Sequence, residues 1–161
     1  MPSTPILAVD HVRVQRGAVR LLDEVSWRVQ AGEHWVVLGA NGSGKTSLLR
    51  VLMGFLSPSA GEIDVLGHRY GATDWREVRP AIGLVSSALH AHIPGGEPAE
   101  ETVISGRYAQ LDFWGEATAA DRSTARRALR QMNAAMLADR PWAWLSQGER
   151  QRVLIARALV A

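Results

Sequence analysis

One run of residues concentrates the chemistry of this chain: Gly39-Ala40-Asn41-Gly42-Ser43-Gly44-Lys45-Thr46. It fits the pattern G-x-x-x-x-G-K-[ST] without a mismatch. Lys45 is the one lysine of the sequence, every other long basic side chain being arginine. A chain that spends arginine everywhere else needs an ammonium here. Glycine reaches positive φ and offers no Cβ to block an oxyanion, so Gly39, Gly42 and Gly44 let successive N–H groups turn inward as an anion nest. A helix starting at this point adds roughly half a positive charge behind the nest. Lys45, a compact charge on a flexible stem, reaches the β- and γ-phosphates of a nucleoside triphosphate. Thr46 offers its hydroxyl to the Mg²⁺ that bridges those phosphates. Asn41, Ser43 and Ser47 complete the expected binding set, and the expected ligands are ATP and Mg²⁺.

A second run, Leu145-Ser146-Gln147-Gly148-Glu149-Arg150-Gln151-Arg152, opens an apolar helix through Val153, Leu154, Ile155, Ala156, Ala158 and Leu159. Ser146 is placed to cap that helix, and Gly148 lets an anion approach its N-terminus. Taken alone, this is either a second anion site or an ordinary helix start.

The elements that must hold these residues follow from periodicity. His34–Leu38 is a short apolar run and reads as a buried strand entering the loop. Ser47–Met53 has helical spacing and reads as the helix leaving it. Ile6–Val14 and Val19–Gln30 alternate as half-exposed strands around Gly17, giving an antiparallel β-layer at the front. Glu62–Gly67 reads as a strand and turn, and Ile82–Ser86 as a buried strand. The loop Ile93–Pro98 is a subdomain boundary. Beyond it, Ala99–Gly106 predicts a short helix. Thr118 and Asp121 form a capping box for a longer one, with Leu129, Met132 and Met136 on one face. Arg122, Arg126 and Arg130 line another face, either as a solvated surface or as a patch for an acidic partner. His90 and His92 are read as a polar loop, with a metal site as the other reading.

The length of 161 residues suits one domain with a real core. The formal charge of +2 makes no case for nucleic acid. Without cysteine there is no disulfide framework and no thiolate metal site. The opening Met1-Pro2-Ser3-Thr4-Pro5 lacks the regions of a signal peptide. No apolar run approaches the roughly 20 residues that span a bilayer. A cytoplasmic location is expected.

Together, the two motifs resemble the nucleotide-binding domain of ABC-type ATPases, whose signature is LSGGQ-x-QR. The variant here is LSQGE followed by Arg150-Gln151-Arg152. The resemblance covers the whole chain and implies an α/β fold: a P-loop NTPase core of RecA type, an N-terminal antiparallel β-layer and an α-helical subdomain. It divides residues 1–161 into a β-layer and P-loop part, 1–97, and a helical part with the signature helix, 98–161. It implies a head-to-tail dimer with a second ABC ATPase domain, in which Ser146, Gln147, Gly148 and Glu149 cover the ATP held by the partner. It also implies a separate transmembrane permease, with the chain peripheral at the inner face of the membrane.

The sequence departs from that family pattern in three places. Arg16, before Gly17, stands where the family has an aromatic residue for adenine; it reads as a surface residue, with a guanidinium stacked on the base as the other reading. Ser87 stands where the family has a glutamine that touches Mg²⁺ and the attacking water; Ser87 could act through a water, or His90 could swing in. Lys45 and Ser87 are thus the catalytic candidates. The sequence stops at Ala161, before the carboxylates that the resemblance requires for hydrolysis, so an incomplete domain of low stability is expected. ATP hydrolysis that drives transport is the leading expectation for the complete protein. The alternatives are a soluble ABC ATPase without a transport role, a P-loop kinase, and a nucleotide binder that does not hydrolyse.

Overall fold

The computed structural model describes residues 4–161; Met1, Pro2 and Ser3, part of the N-terminal reading above, lie outside the described residues. The chain forms two compact units, Met1–Arg79 and Pro80–Ala161.

The first unit is built on an antiparallel sheet of four strands: β1 (Leu7–Arg16), β2 (Val19–Val29), β3 (Ala60–Val65) and β4 (His68–Arg69), in the order β2-β1-β3-β4. The alternation that predicts β1 sets its faces. Val9, Val12 and Val14 point inward and are buried, while Asp10, Arg13 and Gln15 are exposed. Val9 lies opposite Trp27 on one side and Ile63 on the other. Gly61 makes room for a close crossing: a Cβ there would lie 2.6 Å from the Asp10 carbonyl oxygen, and its φ is +87°.

Helix α1 (Lys45–Leu52) buries Leu48 and Val51. Its C-terminal carbonyls, which no helical N–H can reach, are taken up by side chains. Trp75 Nε1 donates to the Leu52 carbonyl at 2.9 Å. Arg79 donates to the carbonyls of Met53 and Gly54, each at 2.9 Å. Trp75 belongs to a short helix, α2 (Trp75–Val78), whose N-terminus is capped by Asp74.

The run His34–Leu38 is not a buried strand. It joins no ladder among the described residues, and Val36 and Leu38 are 79% and 86% exposed. A strand exists through its neighbours' hydrogen bonds, and no described segment supplies them. Ile82–Ser86 likewise carries no strand. Both were expected as buried strands because they are short and apolar, which gives the propensity for a ladder but not the partner.

The second unit packs three helices, α3 (Ala99–Ser105), α4 (Ala119–Gln131) and α5 (Gln147–Leu159). Its core holds Val103, Ile104, Leu129, Leu137, Trp142 and Leu154. The capping box of α4 is formed: Asp121 N donates to Thr118 Oγ1 at 3.1 Å, and Thr118 N donates to Asp121 Oδ2 at 3.0 Å. Leu129 is buried and Met132 packs on the core, but Met136 is 72% exposed. The helix stops at Gln131 and Asn133 turns the backbone at φ +51°, so Met136 leaves the expected face. The arginine stripe also divides. Arg122 and Arg126 donate to the two oxygens of the buried Glu100 at 2.9 and 2.5 Å. They offset the cost of burying an ionised carboxylate there.

Candidate functional site

The phosphate-type loop closes on itself through its lysine. Lys45 Nζ donates to the carbonyls of Gly39 at 2.7 Å and Ala40 at 2.8 Å, and to Ser43 Oγ at 3.5 Å. A tight turn between them is held by Ser43 N donating to the Ala40 carbonyl at 3.2 Å. One ammonium therefore ties both limbs of the loop. Gly39, Asn41, Gly42, Ser43, Gly44, Lys45, Thr46 and Ser47 come together on this single turn and the helix start behind it.

The glycines have separate reasons. Gly42 and Gly44 adopt positive φ, +83° and +92°. Gly44 also lies against β2, where a Cβ would come within 2.8 Å of the Leu21 carbonyl oxygen. Gly39, expected to share that backbone freedom, does not have a positive φ. Its constraint is contact, since a Cβ there would lie 2.6 Å from Ser43 Oγ. The N-cap of α1 is Gly44, no side chain caps the helix, and its first turn has no acidic residue. Its leading N–H groups and positive dipole end thus face the loop without internal compensation. Asn41 and Thr46 are exposed. The arrangement suits an anion with several oxygens, which can replace the carbonyls on Lys45 and use the free N–H groups.

Arg16 ends β1 at a hairpin whose turn holds Gly17 at φ +56°. It is exposed, and its guanidinium makes no hydrogen bond or ion pair among the described residues. Ser87 is exposed at the start of a short 3₁₀ segment, Ser87–His92; Ser86 Oγ caps that segment by accepting from Ala88 N at 3.2 Å. His90 sets its ring edge-on to Trp142 at 5.5 Å, with a buried Nε2 that has no partner among the described residues. His92 Nδ1 lies 3.1 Å from the Ala88 carbonyl.

The second motif forms a capping box at α5. Ser146 N and Oγ both donate to Glu149 Oε2, at 2.8 and 2.7 Å, and Glu149 N returns a bond to Ser146 Oγ at 3.4 Å. These bonds hold the Glu149 carboxyl below the usual carboxylate range, the backbone bond first. Arg140 Nη1 stands 3.5 Å from Glu149 Oε1. Gln147 and Gly148 are exposed, and a Cβ on Gly148 would meet nothing within 4 Å. Packing does not require that glycine, so its bareness matters only to something approaching from outside.

Sequence reasoning missed the residues that support this motif. Arg150 reaches back from the first turn of α5 to the carbonyls of Trp142 at 3.3 Å and Ala143 at 3.1 Å, and its guanidinium lies over the Trp142 ring at 5.4 Å. It also missed Glu97, which is buried with Oε1 unpartnered among the described residues while Oε2 accepts from Phe113 N at 3.2 Å. Burial pushes the Glu97 carboxyl up. Arg157, buried beside it in the same unit, donates to Ser105 Oγ and the Gln110 carbonyl, and burial pulls its guanidinium down. A run of Arg-Gln-Arg after a capping box was the one available signal, and only for Arg150.

Comparison with known proteins gives consistent results. The family model described as ABC transporter matches residues 22–161. An uncharacterized ABC transporter ATP-binding protein of Bacillus subtilis (strain 168), YlmA, is 41% identical over 157 residues, 97% of this chain and 60% of the relative. The zinc import ATP-binding protein ZnuC of Pseudomonas syringae pv. syringae (strain B728a) is 30% identical over 98% of this chain and 52% of its own length. Among solved structures, cbiO1 from Clostridium perfringens, part of the ABC transporter complex cbiONQ, aligns with a TM-score of 0.79 at 25% identity. That alignment covers 98% of this chain and 62% of the solved one. The chain thus spans about 60% of the length of the first of these relatives.

Proposed function

Because the chain belongs to the ABC transporter family and has its α/β cassette fold, we propose that it binds MgATP as part of an ATPase that powers transport across a membrane. Residues 1–161 then belong to one ATPase domain, with 1–97 as its β-layer and phosphate-loop part and 98–161 as its helical part. The observation that carries this reading is the Lys45 ammonium drawn across a loop whose helix has no capping side chain. Exchanging two carbonyl bonds for bonds to phosphate oxygens keeps the lysine satisfied and offsets part of the ligand's charge.

In this reading Gly39, Asn41, Gly42, Ser43, Gly44 and Ser47 wrap the phosphates. Lys45 would stabilise charge on the β- and γ-phosphates, and Thr46 would hold Mg²⁺, which would supply further compensation of the phosphate charge. Ser87 takes the place of the residue that senses metal and water, and Arg16 lies against the base. Ser146, Gln147, Gly148 and Glu149 cover the nucleotide of a second ATPase domain, head to tail. A separate permease supplies the membrane path, and the chain works at the inner face of the membrane. Among the described residues, no helix is long and apolar enough to cross the membrane.

The test is the Lys45→Ala chain titrated with a fluorescent ATP analogue in Mg²⁺. Each lost charge-assisted bond is worth roughly 1.5–3 kcal/mol, so affinity should fall at least about tenfold. Unchanged affinity would remove the phosphate loop from the account.

A further inference from the structure

We propose that Glu149 gates the second motif: its carboxylate holds the Ser146 hydroxyl and N–H, and a phosphate from a second copy's nucleotide gains them only when the carboxylate turns outward to Arg140. This rests on the reading in which Ser146 and Gly148 cover the nucleotide of a second domain.

The donors available to an incoming phosphate at the start of α5 are limited. Ser146 N and Ser146 Oγ both spend their hydrogens on one oxygen, Glu149 Oε2. The phosphate would therefore meet an occupied cap, and the occupant carries the same charge sign. The carboxylate is well placed to move. Its other oxygen is already 3.5 Å from Arg140 Nη1. The Arg140 side chain is 55% exposed and makes no other ion pair among the described residues. Turning about the Glu149 side chain exchanges two short neutral-donor bonds for a charge pair at the rim. The Ser146 donors then point at the phosphate and the excess negative charge moves away from it. The open space over Gly148 leaves the approach clear. A glutamine at this position keeps an acceptor for the capping box and removes the charge, so the cap competes less strongly. Glu149 is thus a positioning residue that sets how much nucleotide is needed before two copies close.

The test compares four full chains: wild type, Glu149→Gln, Arg140→Ala and the double variant. Self-association is followed by sedimentation velocity across a MgATP titration, with binding of a fluorescent ATP analogue read in the same samples. Glu149→Gln should lower the ATP concentration for half-maximal association by roughly tenfold, the scale of one lost like-charge contact. Arg140→Ala should raise it by roughly fivefold in the wild-type background and leave it unchanged in Glu149→Gln, since the arginine acts only through the carboxylate. A merely structural role for the pair would not give opposite shifts in which the Arg140→Ala effect disappears once Glu149 is glutamine. Glu149→Gln and wild type associating at the same ATP concentration would overturn the gate and leave the two-copy reading standing. Equal shifts from Arg140→Ala in both backgrounds would overturn the outward pairing. Nucleotide binding without association in all four chains would overturn the two-copy reading itself, and the gate with it.

Discussion

Glu97 is a carboxyl group with almost no access to water and one oxygen unpartnered among the described residues. Desolvation raises its pKa first of all, with Asp112 and Glu101 adding in the same direction. A raised folded-state value means that the stability it contributes is complete below the unfolded carboxyl value and is lost as pH rises through the folded value. Glu97→Gln cannot ionise. Its melting temperature should exceed that of wild type at about pH 7, and the gap should close toward about pH 4. Thermal melts by circular dichroism over that range check this; a gap independent of pH would contradict it. The opposite case is Glu149, whose lowered pKa places its contribution above the unfolded value and removes it as pH falls through the folded one. The turn around Lys45 and the helix cap at Ser146 were legible in the sequence because each is made with residues close by in the chain. Glu97 was not, because its burial depends on Phe113 and on core residues far along the chain.

The starts of α4 and α5 are satisfied locally, whereas the end of α1 is satisfied from a distance by Trp75 and Arg79. The box at Thr118 and the cap at Ser146 were legible in the sequence because their partners lie within one turn, and the structure adds the return bond from Glu149 that makes the second a box as well. Long-range parts were not. The arginine stripe of α4 looked like a surface feature until Glu100, twenty-two residues before Arg122, was found beneath it. The same logic predicts that Leu129→Ala, at a fully buried position in α4, lowers stability by about 2–5 kcal/mol in chemical denaturation. Gly44→Ala tests the junction of α1 with β2. It adds a Cβ against the Leu21 carbonyl at a backbone φ of +92°, so both strain and contact oppose it. It should cost at least about 1 kcal/mol and weaken nucleotide binding together with stability. Gly42→Ala, open around its Cβ, should show strain alone, and the two variants measured side by side separate the terms.

At the largest scale, one apolar run is exposed among the described residues. Trp35, Val36, Val37 and Leu38 expose from 46% to 86% of their surfaces. The run has strand propensity without a ladder partner among the described residues. Unpaired edges and apolar patches of this kind favour association between chains. Replacing Val36 and Leu38 together by glutamate should reduce binding of a hydrophobic dye and nucleotide-independent aggregation, with little change in melting temperature. A fall in stability of several degrees would show that the run is packed. The central claim is that the loop at Gly39–Thr46 grips the outer phosphates of a nucleotide. Calorimetric titration of the unmodified chain with MgATP and with AMP tests it most directly. Two or more charge-assisted bonds to those phosphates predict binding of MgATP at least roughly a hundredfold tighter than AMP. Equal affinity for the two, or no binding of either, would contradict the account.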